Sequence, residues 1–412
     1  MDTYRRLFAV PEFRALFAAQ LAAACGMTMQ GLALSVLVYE RTRSPLLAAV
    51  AISGVYVPQA IGVMALSSAA DRLPPRLLLA GTDAVRAVSF LLLATGVLPV
   101  GFMLAVVLAP GLLYGAVGGA RYLLLTDILS GDGYILGRSM LTIAVGGMQI
   151  AGYAVGGTVL AEVGPLPALW IATALAAAAF CGDRFWLRAR PAQGQGRVSL
   201  RASWRGNRAL LADHRLGRLL LSQWVPNGLI VGVEALYVPY AGQRAAVLFI
   251  ASATGMLFGY YAVGRARSKA RLSLPLYLLL AAPYLAFITH PAVPVAAAVS
   301  AVACTGYAGT LGLQQLFADA VPAAQRGQAF SLAAAGQLTA QGAAAWASGA
   351  LAEAVPVSIA ITVIAGLSIL SSLVLLLPIQ ASEASRDTHP LRTEHPGHDG
   401  AGSRSGRLRP PR

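Results

Sequence analysis

Charge is scarce in this chain. Asp, Glu, Lys and Arg together make up 12% of its 412 residues, against roughly 25% in a soluble domain. Hydrophobic residues make up 57%. Such a chain exposes too much apolar surface to stay in water, which excludes an ordinary soluble protein and makes lipid its solvent. Cysteine is nearly absent too. Cys25, Cys181 and Cys304 each lie in or beside an apolar run, with no pair at metal-ligand spacing, so they read as small buried side chains and no metal site is expected. No phosphate loop occurs, so ATP does not drive the protein directly. His214 and His290 sit in or beside loops and face no paired nucleophile. Neither an enzyme nor a cofactor is expected.

What the chain has in abundance is apolar runs of about 20 residues, each long enough to cross ~30 Å of hydrocarbon at 1.5 Å per residue. They fall near 15–39, 46–70, 77–98, 102–120, 139–161, 165–187, 219–240, 245–264, 274–290, 293–316, 328–352 and 356–378. The N-terminus is basic like a signal peptide, but the run after it is far longer than a signal core and lacks a cleavage site. It reads as a retained first helix. The expected fold is an all-α membrane protein of twelve transmembrane helices.

The net charge of +14 does not point to nucleic acid, because the arginines sit in short loops between apolar runs and not along one face. Of the 31 Lys and Arg residues, 27 fall on the side of the N-terminus, 3 on the opposite side (Arg41, Arg43 and Arg244) and 1, Arg86, inside a helix. The positive-inside rule then places both termini in the cytoplasm of a multi-pass protein of the cell (inner) membrane. An odd number of spans would scramble this segregation.

The chain divides into residues 1–182 and 219–379, two six-helix bundles, around a basic cytoplasmic linker, 183–218. That linker carries Trp204, Leu210 and Leu211 among its arginines, and reads either as a partly helical segment on the anionic leaflet or as a solvated connection. From about residue 380 the composition turns to Ser, Arg, His, Pro and Gly, which reads as a disordered tail. The halves also share a faint repeat. Gly137, Gly146 and Gly152 follow Asp127, and Gly327, Gly336 and Gly342 follow Asp319, with the same spacing of nine and six. Each set lies where a loop feeds the fifth helix of its half, as in parallel-repeat transporters.

Between the second and third runs the loop Ser67-Ser68-Ala69-Ala70-Asp71-Arg72-Leu73-Pro74-Pro75-Arg76 resembles the signature loop of the major facilitator superfamily. Asp71, Arg72 and Arg76 match, while Ser67 and Pro74 replace its two glycines. The resemblance implies a charge latch, in which a carboxylate at one helix end meets the positive N-terminus of a helix in the other half. Arg76, Asp83 and Arg86 fall within about 80° of one helical face and are expected to form one network. Asp-x-x-Arg in the third helix resembles the drug- and siderophore-exporting branch that includes the enterobactin exporter. So do Arg121, Asp127 and Arg138 in one loop and Asp319, Pro322 and Arg326 in its counterpart. Gly152-Tyr153-Ala154-Val155-Gly156-Gly157 is similar to the antiporter motif, with tyrosine at its proline. The arginine that many proton-coupled exporters carry in the fourth helix is missing.

These resemblances imply a secondary transporter that exports a small amphipathic molecule, such as a drug or secondary metabolite, in exchange for protons. Its expected partners are that substrate, protons and membrane lipid, with no nucleic acid, and a monomer is expected. A nutrient importer of the same fold and a non-transporting sensor or assembly partner remain open. Candidate cavity residues are Gln30, Tyr56, Gln59, Asn227, Glu234, Tyr307, Gln337 and Gln341, with Gln20, Thr28 and Tyr114 beside them. Each can instead satisfy an interhelical hydrogen bond. Glu234 stands out as a carboxylate deep in the second half. Gln223, Asn227 and Glu234 lie within about 40° around one helix, a polar stripe that should face a central cavity. Stripped of solvent there, Glu234 is a candidate to carry a proton or meet a cationic substrate.

The topology is testable. Single cysteines introduced at positions 244 and 353 should react with a membrane-impermeant maleimide in spheroplasts, and cysteines in 183–218 only after lysis. Labelling of position 353 solely from the cytoplasmic side would sink the twelve-span arrangement.

Overall fold

The computed structural model describes residues 7–70, 73–129, 132–191, 200–266, 269–322 and 325–388. Among the described residues twelve long helical rods run back and forth. The first six are α1 (Pro11–Thr42), α2 (Pro45–Ser53 continuing as Tyr56–Ala70), α3 (Pro75–Ala94), α4 (Val100–Ile128), α5 (Asp132–Val163) and α6 (Pro165–Cys181, extended by a wider turn over Gly182–Trp186). A linker helix, Leu200–Ala212, follows. Then come α7 (His214–Ala235 and Tyr237–Ala241), α8 (Ala245–Gly264), α9 (Lys269–Ala281 tightening into Ala282–Thr289) and α10 (Val293–Cys304, Thr305–Ala308 and Gly309–Ala320). The chain closes with α11 (Arg326–Ala354) and α12 (Val357–Thr388).

Proline starts many of these rods, because its missing N–H would be unpaired there anyway. Pro11, Pro45, Pro75 and Pro165 each sit in the first turn. Arg43 ends α1 in the left-handed region, at φ 57°, its amide closing onto the Tyr39 carbonyl. Among the described residues nine stretches are long and apolar enough to span a membrane. One of them, His214–Gly264, holds both α7 and α8. The rods left over are α4, whose apolar part is counted only over Val100–Gly115, and α11, rich in Ala, Gly and Gln.

The described parts of the linker are pinned at both sides. Arg190 holds Glu12 of α1 through two bonds, at 2.5 and 2.9 Å, and Asn207 accepts from Gln328 of α11 at 3.0 Å. Helix α6 runs on through Trp186 and α7 begins at His214, capped by Asp213. Helical structure therefore reaches into both ends of the arginine-rich stretch 183–218. Residues 192–199 and nearly all of the basic tail lie outside the described residues, as do Asp71 and Arg72 of the expected latch.

Lipid tails are as apolar as leucine, so helices are held by close packing where side chains are small. The two halves use this in the same way. In the first, Gly62 of α2 meets the Leu112 backbone, and Gly111 and Gly115 of α4 meet the backbone of α2. In the second, Gly255 and Gly259 of α8 meet the backbone at Ala301 and Thr305 of α10. Gly152 and Gly156 of α5 let α1 approach at Cys25, Thr28 and Met29. The matching contact of α11 with α7 puts Gly228 and Gly232 on α7, against Ala340 and Ala344.

A Cβ on Gly115 would collide with the backbone of α2 at Gln59, Gly62 and Val63. Gly115→Val should therefore cost about 2 kcal/mol or more, read as a fall of several degrees in the thermal unfolding of detergent-solubilised protein. Gly81→Ala, where nothing lies within 4 Å, should leave the midpoint unchanged. Equal behaviour of the two variants would contradict the packing account.

Candidate functional site: a neutral cavity facing a carboxylate

Five rods of the first half, α1 to α5, surround a cavity of about 190 Å³. Its polar wall consists of Thr28, Gln30, Tyr56, Ser89, Tyr114, Gln149 and Tyr153, set among apolar groups such as Met27, Ile52, Phe90 and Pro110. Among the described residues no charged side chain lines it. Gln30 is buried and its Nε2 has no hydrogen-bond partner. Gln59, one turn beyond Tyr56, is not part of this wall. The sequence reading missed Ser89, Gln149 and Tyr153. Gln149 and Tyr153 stand at i and i+4 on α5, a spacing that marks one helix face.

In the second half, Glu234 sits two residues before α7 breaks at Leu236. It is partly buried, and its Oε1 accepts from the Tyr307 hydroxyl at 3.3 Å and the Cys304 thiol at 3.5 Å, both on α10. Behind it a buried chain continues. Tyr284 lies 3.4 Å from the Cys304 sulfur, Tyr237 lies 2.6 Å from Tyr284, and Ser252 lies 2.9 Å from Tyr237. No cation pairs with Glu234 among the described residues. Tyr56 and Tyr153, which wall the cavity of the first half, both reach the second half, Tyr56 at Gly342 of α11. Tyr153 also stacks on Phe249 of α8, with centroids 4.7 Å apart and planes at 12°. The neutral cavity thus borders the second half through two tyrosines, and Phe249 lies against Tyr237 of the chain behind Glu234.

Two turns back along α7, at roughly 10 Å by helical rise, Asn227 forms a second polar group. Its Oδ1 accepts from Gln337 at 2.7 Å and from Gln341 at 3.0 Å, both on α11. The structure therefore joins Glu234 with Tyr307, and Asn227 with Gln337 and Gln341, as two clusters. Gln223 belongs to neither and bonds back to the Leu219 carbonyl. Cys304, read from the sequence as a plain buried side chain, is a hydrogen-bond donor to Glu234. Its position three residues before Tyr307, on the same helix face, was the available signal.

The charges of the third helix divide differently from the expectation. Asp83 and Arg86 form a buried ion pair, and the Arg86 guanidinium lies 4.9 Å from the Tyr114 ring centre. Arg76 does not join them. It donates instead to the Arg184 carbonyl at the end of α6, because it stands in the first turn of α3, nearly two turns from Asp83. The fourth member of the cluster is Asp183, buried at the end of α6 and within hydrogen-bonding reach of Asp83, with Arg121 and Arg86 nearby.

This arrangement makes the two neutralisations unequal. Asp83→Asn leaves Arg86 with Asp183 to turn to, whereas Arg86→Gln takes the guanidinium from between two buried carboxyl groups and leaves Arg121 beside Asp183 to offset them. The arginine variant should lose stability on the scale of about 3–5 kcal/mol seen when a buried pair is broken, the aspartate variant clearly less, and the double variant should recover toward the latter. Folded yield by size-exclusion chromatography and the unfolding midpoint measure this. Equal losses in the two single variants would contradict the role given to Asp183.

No family model and no curated protein sequence matches the chain. Solved structures do. A peptide transporter of the POT type, in complex with sulfate, aligns with a TM-score of 0.73 at 12% identity, over 94% of this chain and 99% of that one. The inward-open xylose transporter XylE from E. coli gives 0.67 at 15% identity, over 90% and 96%. The human organic anion transporter MFSD10 gives 0.61 at 18% identity, over 89% and 99%. At such identities the likeness is one of fold, and it runs through nearly the whole of each chain. The protein therefore has the fold of the major facilitator transporters.

Proposed function

We propose that this protein is a secondary transporter that exports a small amphipathic molecule in exchange for protons, by alternating access to a site between its two halves. The arginine-rich end of the bundle faces the cytoplasm, with both termini, and the end carrying Arg41, Arg43 and Arg244 faces outward. The observation that carries the reading is Glu234. A carboxylate inside a membrane protein that has, among the described residues, only thiol and hydroxyl donors and no cation is poised to take a proton or the positive end of a substrate. Opposite it lies an uncharged cavity with aromatic walls and an unpartnered amide donor, a surface suited to the neutral body of an amphipathic molecule.

In this reading Glu234 and Tyr307 hold the exchanged proton or cation. Gln30 and Tyr56 contact the substrate body, with Gln59 beneath them. Asn227, Gln337 and Gln341 present a neutral hydrogen-bonding wall nearer the cytoplasm. Asp71, Arg72 and Arg76 act in gating at the cytoplasmic end, and Asp83 with Arg86 braces the first half. The exporter branch is favoured by the Asp-x-x-Arg of α3 and the paired loop charges.

Proteoliposomes with an imposed pH gradient test this, with ethidium as an amphipathic cationic probe. Glu234→Gln should lose gradient-driven accumulation by about tenfold or more, while downhill exchange of ethidium for ethidium continues. Accumulation by the Gln variant at the wild-type rate would remove Glu234 from the mechanism. Wild-type protein that neither moves ethidium nor couples proton flux to it would sink the proposed exporter.

A further inference from the structure

The arginine-poor end of the bundle holds a contact between the halves that the site above does not use. Ser44 caps the N-terminus of α2, its Oγ accepting from the Leu47 amide at 3.1 Å. The same hydroxyl donates to the carboxylate of Glu353 at 2.5 Å, and the Leu46 amide donates to the same carboxylate oxygen at 3.2 Å. Glu353 belongs to the last turn of α11, in the other half of the chain. A carboxylate from one half thus lies on the positive end of a helix in the other, where charge and hydrogen bonds act together.

The surroundings make this contact a fastening between the halves and not a chance meeting of loops. One turn before Glu353, Gly349 brings α11 so near α2 that an added Cβ would lie 2.7 Å from the Leu46 Cα and 3.0 Å from the Ala49 Cβ. Nearby, Gln243, between α7 and α8, donates to Glu40 of α1 at 3.1 Å, a second bond across the same end. The Arg41 guanidinium is held by the carbonyls of Gly96 and Leu98, at 2.7 and 3.1 Å within its own half. It is therefore engaged elsewhere, and Glu353 relies on the α2 terminus.

We propose that Glu353 is the latch that keeps the arginine-poor end shut, and that it releases the N-terminus of α2 each time that end opens. The transport reading gives the latch its purpose, but the latch itself is a property of the two halves and needs no substrate to be seen. Both groups that receive it are local to α2. Loss of the Glu353 carboxylate therefore removes both bonds at once, and loss of the Ser44 hydroxyl removes only one.

The test is a distance measurement by pulsed electron paramagnetic resonance in lipid nanodiscs. Spin labels go at Val97 and Val295, exposed positions near this end in the first and second halves. Glu353→Ala should raise the long-distance, open population roughly two- to tenfold over the same labelled protein without the change, and Ser44→Ala should raise it less. Both should remain monodisperse with an unfolding midpoint near that of the parent. An unchanged distance distribution in folded Glu353→Ala overturns the proposal. If that variant does not fold, Ser44→Ala decides alone, and an unchanged distribution there overturns it equally. Failure of the transport reading shows instead in the ethidium experiment and leaves these distances as they are.

Discussion

The fold rests on one constraint of its solvent. In hydrocarbon every backbone N–H and C=O must be satisfied within the protein, which leaves helices as the building material, and no hydrophobic effect draws one helix to the next. Cohesion must come from contact, and contact is closest where a side chain is missing. Hence the glycines gather where rods cross. They lie between α2 and α4 in one half, between α8 and α10 in the other, and between the first and fifth rods of each. The repeated arrangement is geometric more than chemical. In the first half the glycines of the fifth rod, Gly152 and Gly156, admit α1, while in the second the glycines of α7, Gly228 and Gly232, admit α11. Either partner can supply the missing side chain, so the sequence can drift while the crossing stays.

Once cohesion is assigned to small residues, the few polar groups that remain inside stand out, and the two halves use them differently. The first half walls its cavity with amides, hydroxyls and aromatic rings, and gathers buried charges apart from it, where Asp83 pairs with Arg86, and Asp183 lies beside them with Arg121 nearby. The second half keeps a carboxylate held by a thiol and a phenol, with no cation paired to it among the described residues. A neutral wall opposite a lone charge can accommodate a molecule with an apolar body and one polar end. A symmetric pair of charged walls would demand a charged body.

How much of this the sequence reveals depends on how local the cause is. The rods are legible because their cause is local: a run of apolar residues about 20 long, ended by proline, glycine or arginine. Even α11, too rich in Ala, Gly and Gln to pass a strict hydropathy threshold, is recognisable from its length and from its glycines matching those of α5. The fate of Arg76 is not legible. Helical angle alone groups it with Asp83 and Arg86, but its partner is the Arg184 carbonyl, about a hundred residues away on another rod. The thiol of Cys304 shows the same limit. Composition makes it a filler, and only the crossing of α7 with α10 makes it a donor to Glu234. The identity of an apolar helix is written in its own residues, whereas the role of a polar one is set by whichever helix it crosses.

The same reasoning locates the motion. Two seams join the halves, α5 against α8 and α2 against α11, on either side of the Glu234 region. Along the first, Gly157 meets Ala246 and Gly146 meets Leu257, an antiparallel register that holds over three turns. The fit changes along that length. At the arginine-poor end the Ala246 methyl occupies the space a side chain at Gly157 would need, while at Gly146 the neighbouring Leu257 stands at an ordinary 3.4 Å from an added Cβ. On the second seam Gly349 presses on Leu46 and Ala49 beneath the Glu353 contact, and Gly342, two turns lower, rests on Tyr56 and Val57. Packed surfaces of this kind do not stretch; they separate or rock. Opening the arginine-poor end would therefore have to part the tight contacts at Gly157 and Gly349. Tyr56 and Tyr153, one on each seam, both touch the other half, at Gly342 and at Phe249. The wall of the first half's cavity is therefore shared with the surfaces along which the halves meet.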